Sequence, residues 1–218
     1  MSEKPRVPVL SATHHALLFA LIAKAVIQRV GQAPGEGVMR RAVRRYARER
    51  GHRMALRAQR DGNPLTMANY RAYGEWRVAP EEMETEAEGA GSDVVVHVSK
   101  CPWHTAWSKH GLIPFGRLYC MEIAEALVEG FNPELSIEVH GTMTNGSERR
   151  AFVYRGADLT APGAPGAETV MPWDYHCRHL FGTAGDVVVD QLGDAGREVL
   201  DEALVELRDR FGDEAAEA

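Results

Sequence analysis

Residues 93–104 read DVVVHVSKCPWH, and the clearest change of local structure in the chain falls within them. The first part, Asp93 to Ser99, is rich in β-branched residues and predicts a strand. Pro102 suits the first position of a helix, where its missing N–H would have no partner anyway. The stretch therefore predicts a strand that ends at Ser99 and a helix that begins at Pro102, with Cys101 between them.

Further strands are predicted on both sides of this junction. Glu134 to Thr142 alternates apolar and polar residues, which is the period of a strand with one buried face. Asn145-Gly146 is a strong hairpin signal, so Arg150 to Arg155 is predicted to be the returning strand. Glu75 to Met83 is predicted to be a first strand, and the glycine-containing residues 89–92 a turn.

Helical patterns flank the strands. Gly31 is the predicted end of the first helix, and Gly130, within Gly130-Phe131-Asn132-Pro133, is predicted to be a left-handed cap. The final helix is expected to be interrupted near Gly193 and Gly196. The predicted helices are Thr13 to Val30, Glu36 to Arg60, Thr66 to Gly74, Pro102 to Lys109, Phe115 to Glu129 and Gly185 to Phe211.

Grouped strands between helical ends predict an α+β fold, with an antiparallel sheet of about four strands and helices packed around it. We expect a flexible N-terminus at residues 1–10 and a single domain at 11–218. That domain would be helical over 11–74, strand-rich over 75–156, and would end in a loop and a C-terminal helix over 157–218.

The composition indicates an ordinary globular protein, with 44% hydrophobic and 26% charged residues. The most apolar run, Ala16 to Val30, is shorter than the roughly 18 residues that cross a bilayer and contains charges. Three cysteines are too few for a disulfide framework, which favours free thiols in a reducing compartment. We therefore predict a cytoplasmic protein without a membrane partner, and a homo-oligomer remains open.

The second predicted helix is strongly basic. We interpret its arginines as a solvated face that the acidic C-terminal end balances, with a subunit or substrate-carboxylate contact as the alternative. The net charge of −6 argues against a nucleic-acid partner, because such binding rests on neutralising phosphates. The arginines are Arg40, Arg41, Arg44, Arg45, Arg48, Arg50, Arg53, Arg57 and Arg60.

Cys101 is the candidate with the strongest physical argument for reactivity. At a helix N-terminus its sulfur would face free backbone N–H groups and the positive end of the helix dipole, and both stabilise a thiolate. His104, three residues on, could act as its base. A small buried cysteine beside a surface histidine is the alternative interpretation. Cys120 shares core spacing with Ile123 and is predicted to be a core thiol, with Tyr119 directed towards a pocket.

These residues resemble the conserved centre of a known family, the L-2-amino-thiazoline-4-carboxylic acid hydrolases. The matching residues are Cys101-Pro102, Trp107, Tyr119-Cys120, Ile123, Gly130-Phe131-Asn132-Pro133-Glu134-Leu135, Thr142, Gly146 and Phe152. Members of that family are similar to enzymes that open the thiazoline ring to give N-carbamoyl-L-cysteine. Two positions depart from the pattern: Ala124 replaces a frequent aspartate, and Arg150 replaces a frequent cysteine.

The resemblance implies a hydrolase that opens a small heterocyclic ring without a cofactor. In this hypothesis Cys101 is the nucleophile and His104 moves protons. Cys120 and Tyr119 shape the pocket or donate a hydrogen bond to the substrate. Arg150 would hold a substrate carboxylate.

Two alternatives remain open at this stage. Cys101 and His104 together with His176 and His179 could bind zinc or iron in a metal-dependent hydrolase, and His176 could instead line the pocket. His140 lies on a polar strand face, which predicts a further pocket residue. A non-catalytic small-molecule sensor domain would use the same pocket without turnover.

Overall fold

The computed structural model describes residues 10–90, 93–157, 164–165 and 169–212. Within these residues seven α-helices surround one four-stranded sheet, which confirms the predicted α+β class. The helices are α1 (Ala12–Val30), α2 (Gln32–Arg60), α3 (Met67–Ala72), α4 (Pro102–His110), α5 (Ile113–Phe131), α6 (Trp173–Leu192) and α7 (Asp194–Phe211). The strands are β1 (Glu84–Ala90), β2 (Asp93–Lys100), β3 (Ile137–His140) and β4 (Arg150–Tyr154).

The sheet has the strand order β1-β2-β4-β3, and every neighbouring pair is antiparallel. Val94, Val96 and Val98 of β2 are buried on one face, as the β-branched run predicts. Phe152 of β4 is the Cα partner of Val96 and therefore shares that face. The predicted hairpin between the last two strands is confirmed. Its connection is longer than the two-residue turn that Asn145-Gly146 suggested and includes a 3-10 turn at Met143–Asn145.

The predicted first strand at Glu75 to Met83 is wrong. Glu75 has a side chain without solvent exposure, ion-paired to arginines of α2, and a 3-10 turn follows at Pro80–Glu82. The segment does not place successive side chains on the two faces of a sheet, as a strand would, because the ion pairs of Glu75 hold its first residue against α2. The first strand begins only at Glu84 and runs to Ala90, so Gly89 and Ala90 belong to it. The rest of the predicted turn at 89–92 lies outside the described residues.

The first helix is buried on nearly all sides, beyond the single apolar face that its sequence predicted. Residues Ala16 to Ala23 are all buried, because α1 packs against α2, α4, α5, α6 and α7. Gly31 ends α1 with a φ of +90°, as predicted. Leu10, expected in the flexible N-terminus, is buried, and residues 1–9 lie outside the described part.

Helices α2 and α5 cross with their backbones in contact. A Cβ atom on Gly51 would lie 2.2 Å from the carbonyl oxygen of Leu127, and one on Gly130 would lie 2.4 Å from the carbonyl oxygen of Arg48. Gly130 is therefore not the predicted left-handed cap: its φ is not positive, and α5 continues to Phe131. Glycine is required there because only a residue without a Cβ permits this approach.

The arginines of α2 pair mostly with acids other than those predicted. Glu122 of α5 is buried and accepts from Arg40 and Arg44, while Arg48 pairs with Glu129 at 2.9 Å. The acidic face of α7 pairs instead with α1: Glu198 and Glu202 with Arg29, and Glu206 with Lys24. The basic helix is thus tied into the helical layer rather than only solvated.

The C-terminal region holds two helices where one interrupted helix was predicted. The predicted break at Gly193 is confirmed, but the first of the two begins at Trp173, twelve residues before Gly185. The predicted loop at 157–167 lies mostly outside the described residues, and the single-domain organisation stays a prediction. No helix in the described ranges has the length and apolar content needed to cross a bilayer.

The close crossing of α2 and α5 gives a stability prediction. Gly51→Ala forces the two backbones apart, so the free energy of unfolding should fall by about 2–3 kcal/mol, a typical cost of overpacking. Gly37→Ala in the same helix is the matched control, because the added methyl would meet only the Arg41 side chain at 3.7 Å. The control should gain about 0.5–1 kcal/mol from helix propensity. Urea denaturation of both variants measures this, and equal stabilities would contradict the close crossing.

Candidate active site

A cavity of about 150 Å³ lies where the helix-facing side of the sheet meets α4 and α5. Its walls are largely apolar, with few polar groups, the usual character of a small-molecule site. Those polar groups come from α4, α5, β4 and the 3-10 turn before β4. The residues that line it are Trp76, Met83, Val98, Cys101, Trp103, His104, Tyr119, Cys120, Ile123, Thr142, Met143, Thr144, Arg150 and Phe152.

Cys101 occupies the N-cap position of α4, with Pro102 at the first helical position, as predicted. Its side chain makes no capping hydrogen bond. Burial raises the pKa of the Cys101 thiol, while the backbone N–H groups of His104 and Trp103 and the charge of Arg150 act in the opposite direction. The start of α4 therefore offsets only part of the rise in the Cys101 pKa that burial causes, and the apolar surroundings favour the neutral thiol.

Cys120 reaches the same cavity from α5. Burial raises the pKa of its thiol to about 11, although Arg150 lowers it, and the neighbouring Cys101 raises it further. The nearby Thr144 hydroxyl also lowers the pKa of this thiol. Cys120 is therefore a core thiol, as predicted, that also lines the cavity.

Arg150 is a buried cation, and none of the described carboxylates pairs with it. Its side chain is 8% exposed, and its Nη2 donates to the carbonyl oxygen of Cys120 at 2.8 Å. The guanidinium lies 4.4 Å from the ring centroid of Phe152, and its Nε has no hydrogen-bond partner. A buried charge is costly unless it is paired, so this arrangement favours an anion in the cavity.

The hydroxyl of Tyr119 is the second unsatisfied polar atom at the cavity. It is buried and has no hydrogen-bond partner in the described part of the chain, and burial raises the pKa of the phenol well above its usual value. The group is therefore a neutral O–H donor at physiological pH. Buried polar groups in folded proteins nearly always have partners, so an orphaned hydroxyl in a cavity wall suits a bound ligand.

Two tryptophans form a stacked wall of the cavity. Trp76 and Trp103 lie 4.8 Å apart with an interplanar angle of 27°. The Nε1 of Trp103 donates to Nδ1 of His15 at 3.1 Å, and the Nε1 of Trp76 donates to Nδ1 of His176 at 3.2 Å. Both indoles are thereby fixed from behind by buried histidines.

These two bonds set the histidine tautomers. Burial lowers the pKa of both rings, to about 4 for His176, so each is neutral at physiological pH. Because Nδ1 accepts, Nε2 carries the hydrogen: in His15 it meets the hydroxyl of Tyr46 at 3.0 Å, and in His176 it donates to the carbonyl oxygen of Glu75 at 3.0 Å.

The structure brings together five of the seven residues expected at the site: Cys101, His104, Tyr119, Cys120 and Arg150. The expectation that His140 and His176 also line it is not met. His140 is exposed and meets Glu138 at 3.2 Å, because it lies on the sheet face opposite to the cavity. His176 lies one layer behind, bonded to Trp76.

The four ligands of the metal alternative do not form one cluster. Cys101 and His104 lie at the cavity, whereas His176 bonds to Trp76 and His179 meets Glu49 at 2.8 Å. No group of three or more His, Cys, Asp or Glu side chains in the described ranges has the arrangement of a metal site.

Comparison with known proteins gives one match. The family model of the L-2-amino-thiazoline-4-carboxylic acid hydrolases matches residues 11–154. This chain belongs to that family. No curated protein and no solved structure matches the chain significantly.

The matched region contains every residue that lines the cavity, whereas His176 and His179 lie beyond it. The two departures from the family pattern also separate in space. Arg150 lines the cavity, whereas Ala124 packs against the apolar cluster around Phe131. Of the two residues, Arg150 is therefore the one that a ligand in the cavity could contact.

Several cavity residues were missed from the sequence. Trp76 was placed in a strand that does not exist, and Met143 and Thr144 were placed in a hairpin connection. Trp103 directly follows the Cys101-Pro102 pair, and this neighbourhood was the one sequence signal that could have marked it as a cavity residue. Contacts between segments so far apart leave no period in the sequence that could have marked them.

The buried neutral histidines predict a loss of stability in mild acid. The unfolded chain takes up protons near the ordinary histidine pKa of 6.5, whereas the pKa of folded His176 is about 4. The contribution of these histidines to the free energy of unfolding is therefore fully present above about pH 6.5. It falls as the pH is lowered towards 4, by up to about 1.4 kcal/mol per pH unit for each such histidine. Urea denaturation between about pH 7 and pH 5 measures it. An unchanged free energy of unfolding across that range would contradict neutral, buried His15 and His176.

Proposed function

We propose that this protein hydrolyses a small cyclic compound that carries a carboxylate, a thiazoline carboxylate or a related cyclic amide or amidine, with Cys101 as the nucleophile. The observation that carries the proposal is the juxtaposition, in one cavity, of the Cys101 thiol and the unpaired Nε of Arg150. Membership of a hydrolase family supports the same reaction class. The proposed reaction uses no cofactor.

The carboxylate follows from the charge of Arg150. A carboxylate that accepts from its free Nε would satisfy the buried donor and neutralise the charge at once. The hydroxyl of Tyr119 would give a further hydrogen bond to the same group or to a ring atom. Neither atom has a hydrogen-bond partner within the described ranges, so a bound ligand would satisfy two buried donors that the folded chain leaves unpaired.

The size and lining of the cavity limit the rest of the substrate. A space of about 150 Å³ accommodates a small heterocycle rather than a peptide or nucleotide. Trp76 is covered by Arg50 and Trp103 on its two faces, so the stacked pair forms a rigid apolar wall beside which a small ring can pack. A substrate ring that packs beside the tryptophans while its carboxylate binds Arg150 would have limited freedom to rotate. This restriction favours attack at a single ring carbon.

For a thiazoline the proposed reaction has two steps. The Cys101 sulfur adds to the carbon between the ring sulfur and nitrogen, the bond from that carbon to the ring sulfur breaks, and the ring sulfur leaves as a thiol. Water then adds to the same carbon, and Cys101 leaves, which gives the carbamoyl product. The net change is the addition of one water molecule.

Proton transfer is the part that His104 would perform. Because burial raises the pKa of the Cys101 thiol, a base must take its proton before attack. In the proposal His104 accepts that proton, gives it to the departing ring sulfur, and later takes a proton from the attacking water. Cys120, whose thiol stays protonated, would contribute shape and a weak donor.

The second candidate function is binding without turnover, as in a sensor domain. The raised pKa of both cavity thiols is the observation that favours it, because a neutral thiol is a poor nucleophile. Incubation with a thiazoline carboxylate separates the two: an enzyme releases a new thiol, whereas a sensor shows thermal stabilisation alone.

Cys101→Ala should abolish turnover of a thiazoline carboxylate while it leaves the fold intact, because no other group would form the covalent intermediate. Cys177→Ala is the matched control, since Cys177 is buried in the helical core and does not line the cavity. Product formation is followed by thiol release, and folding by circular dichroism. Turnover by Cys101→Ala at the rate of the control would disprove the nucleophile.

Arg150→Gln should raise KM for a carboxylate substrate by about 10- to 100-fold, the value of one buried charged hydrogen bond, and should change kcat less. Arg155→Gln is the control from the same segment, because Arg155 is half-exposed and pairs with Asp93 and Glu138 on the surface. Equal KM values for the two variants would show that Arg150 does not bind the substrate.

A further inference from the structure

A second cavity, of about 230 Å³, shares Trp76 with the first. Arg50 lines this second cavity and lies 3.7 Å over the Trp76 ring, whereas Trp103, which stacks on the same ring, lines the first. The remaining walls of the second cavity include Tyr70, Tyr154 and Leu127. The proposed function makes no use of this space.

The second cavity has an excess of positive charge. Arg50 is 1% exposed, its Nε is paired to Glu75, and its Nη1 is buried without a partner. Glu75 supplies the carboxylate that lines this cavity. It also pairs with Arg53 and Arg57, so its single charge does not fully neutralise Arg50.

Arg71 adds a second cation to the wall. Its guanidinium lies 5.1 Å from the ring centroid of Tyr154, and no carboxylate pairs with it in the part of the chain that the structure describes. The cavity is thus lined by Arg50, whose buried Nη1 has no partner among the described residues, and by the more accessible Arg71, with aromatic rings beside both. Cations with aromatic surfaces recognise an anion attached to a flat apolar group.

We propose that this cavity is a second ligand site, which binds the carboxylate of a small aryl or otherwise planar apolar acid. The carboxylate accepts from Nη1 of Arg50 and from Arg71, and the ring packs between Tyr70, Leu127 and Trp76. The site is independent of turnover in the first cavity, so it stands whether or not the proposed hydrolysis is correct.

Calorimetric titration of the intact chain with benzoate, at constant ionic strength, tests the proposal. Benzoate should bind, and benzamide, which has the same shape without the charge, should bind at least about tenfold more weakly, because it loses a charge-assisted bond. Inorganic phosphate, an anion without a ring, should also bind more weakly than benzoate. Equal binding of benzoate and benzamide, or tighter binding of phosphate, overturns the proposed chemistry.

Two single variants locate the bound benzoate. Arg71→Gln should weaken benzoate binding at the second cavity about tenfold or more, whereas Arg150→Gln, which removes any benzoate site at the first cavity, should leave the second one occupied. Arg71 is exposed and takes no part in the Glu75 ion pairs, so its replacement leaves the fold intact; circular dichroism checks this. Loss of binding in Arg150→Gln with retention in Arg71→Gln would assign benzoate to the first cavity, and no binding to the unaltered chain would leave no second site.

Discussion

The carboxylate of Glu75 lies without solvent exposure among three guanidinium groups of α2, 3.2 Å from Arg50, 3.1 Å from Arg53 and 2.8 Å from Arg57. Burial alone would raise its pKa, and the arginines, Arg50 first, reverse the direction, so the pKa is lowered and the group is ionised. Removal of one partner from such a buried cluster typically costs about 3–5 kcal/mol. The segment that follows Glu75 is therefore held in an irregular conformation.

That constraint sets the position of Trp76, which is part of both cavities. Its ring lies between elements that are distant in sequence: Arg50 packs over it, Trp103 stacks on it, and His176 accepts from its Nε1. The same cluster provides the carbonyl oxygen that fixes the His176 tautomer. Ion pairing, aromatic packing and the shape of the candidate active site thus depend on one buried carboxylate.

The sequence was most informative where local rules decide the structure. A β-branched run followed by Pro102 correctly predicted β2, the start of α4 and the N-cap position of Cys101. Cys101 and Cys120 of the family motif both line one cavity, and so does Arg150, which departs from that motif. The local sequence pattern was misleading for Glu75–Met83, where ionic partners in α2 override strand propensity. It also misplaced His140, because alternation along a strand defines two faces without indicating which face is covered.

We propose that the cavity between the sheet, α4 and α5 holds a small carboxylate against Arg150, beside the Cys101 thiol. A crystal structure of Cys101→Ala soaked with a thiazoline carboxylate tests it most directly, because the bound substrate would persist. We expect density for the ring beside Trp76 and Trp103, with its carboxylate within hydrogen-bond distance of Nε of Arg150. An empty cavity at saturating ligand, or a carboxylate bound away from Arg150, would contradict it.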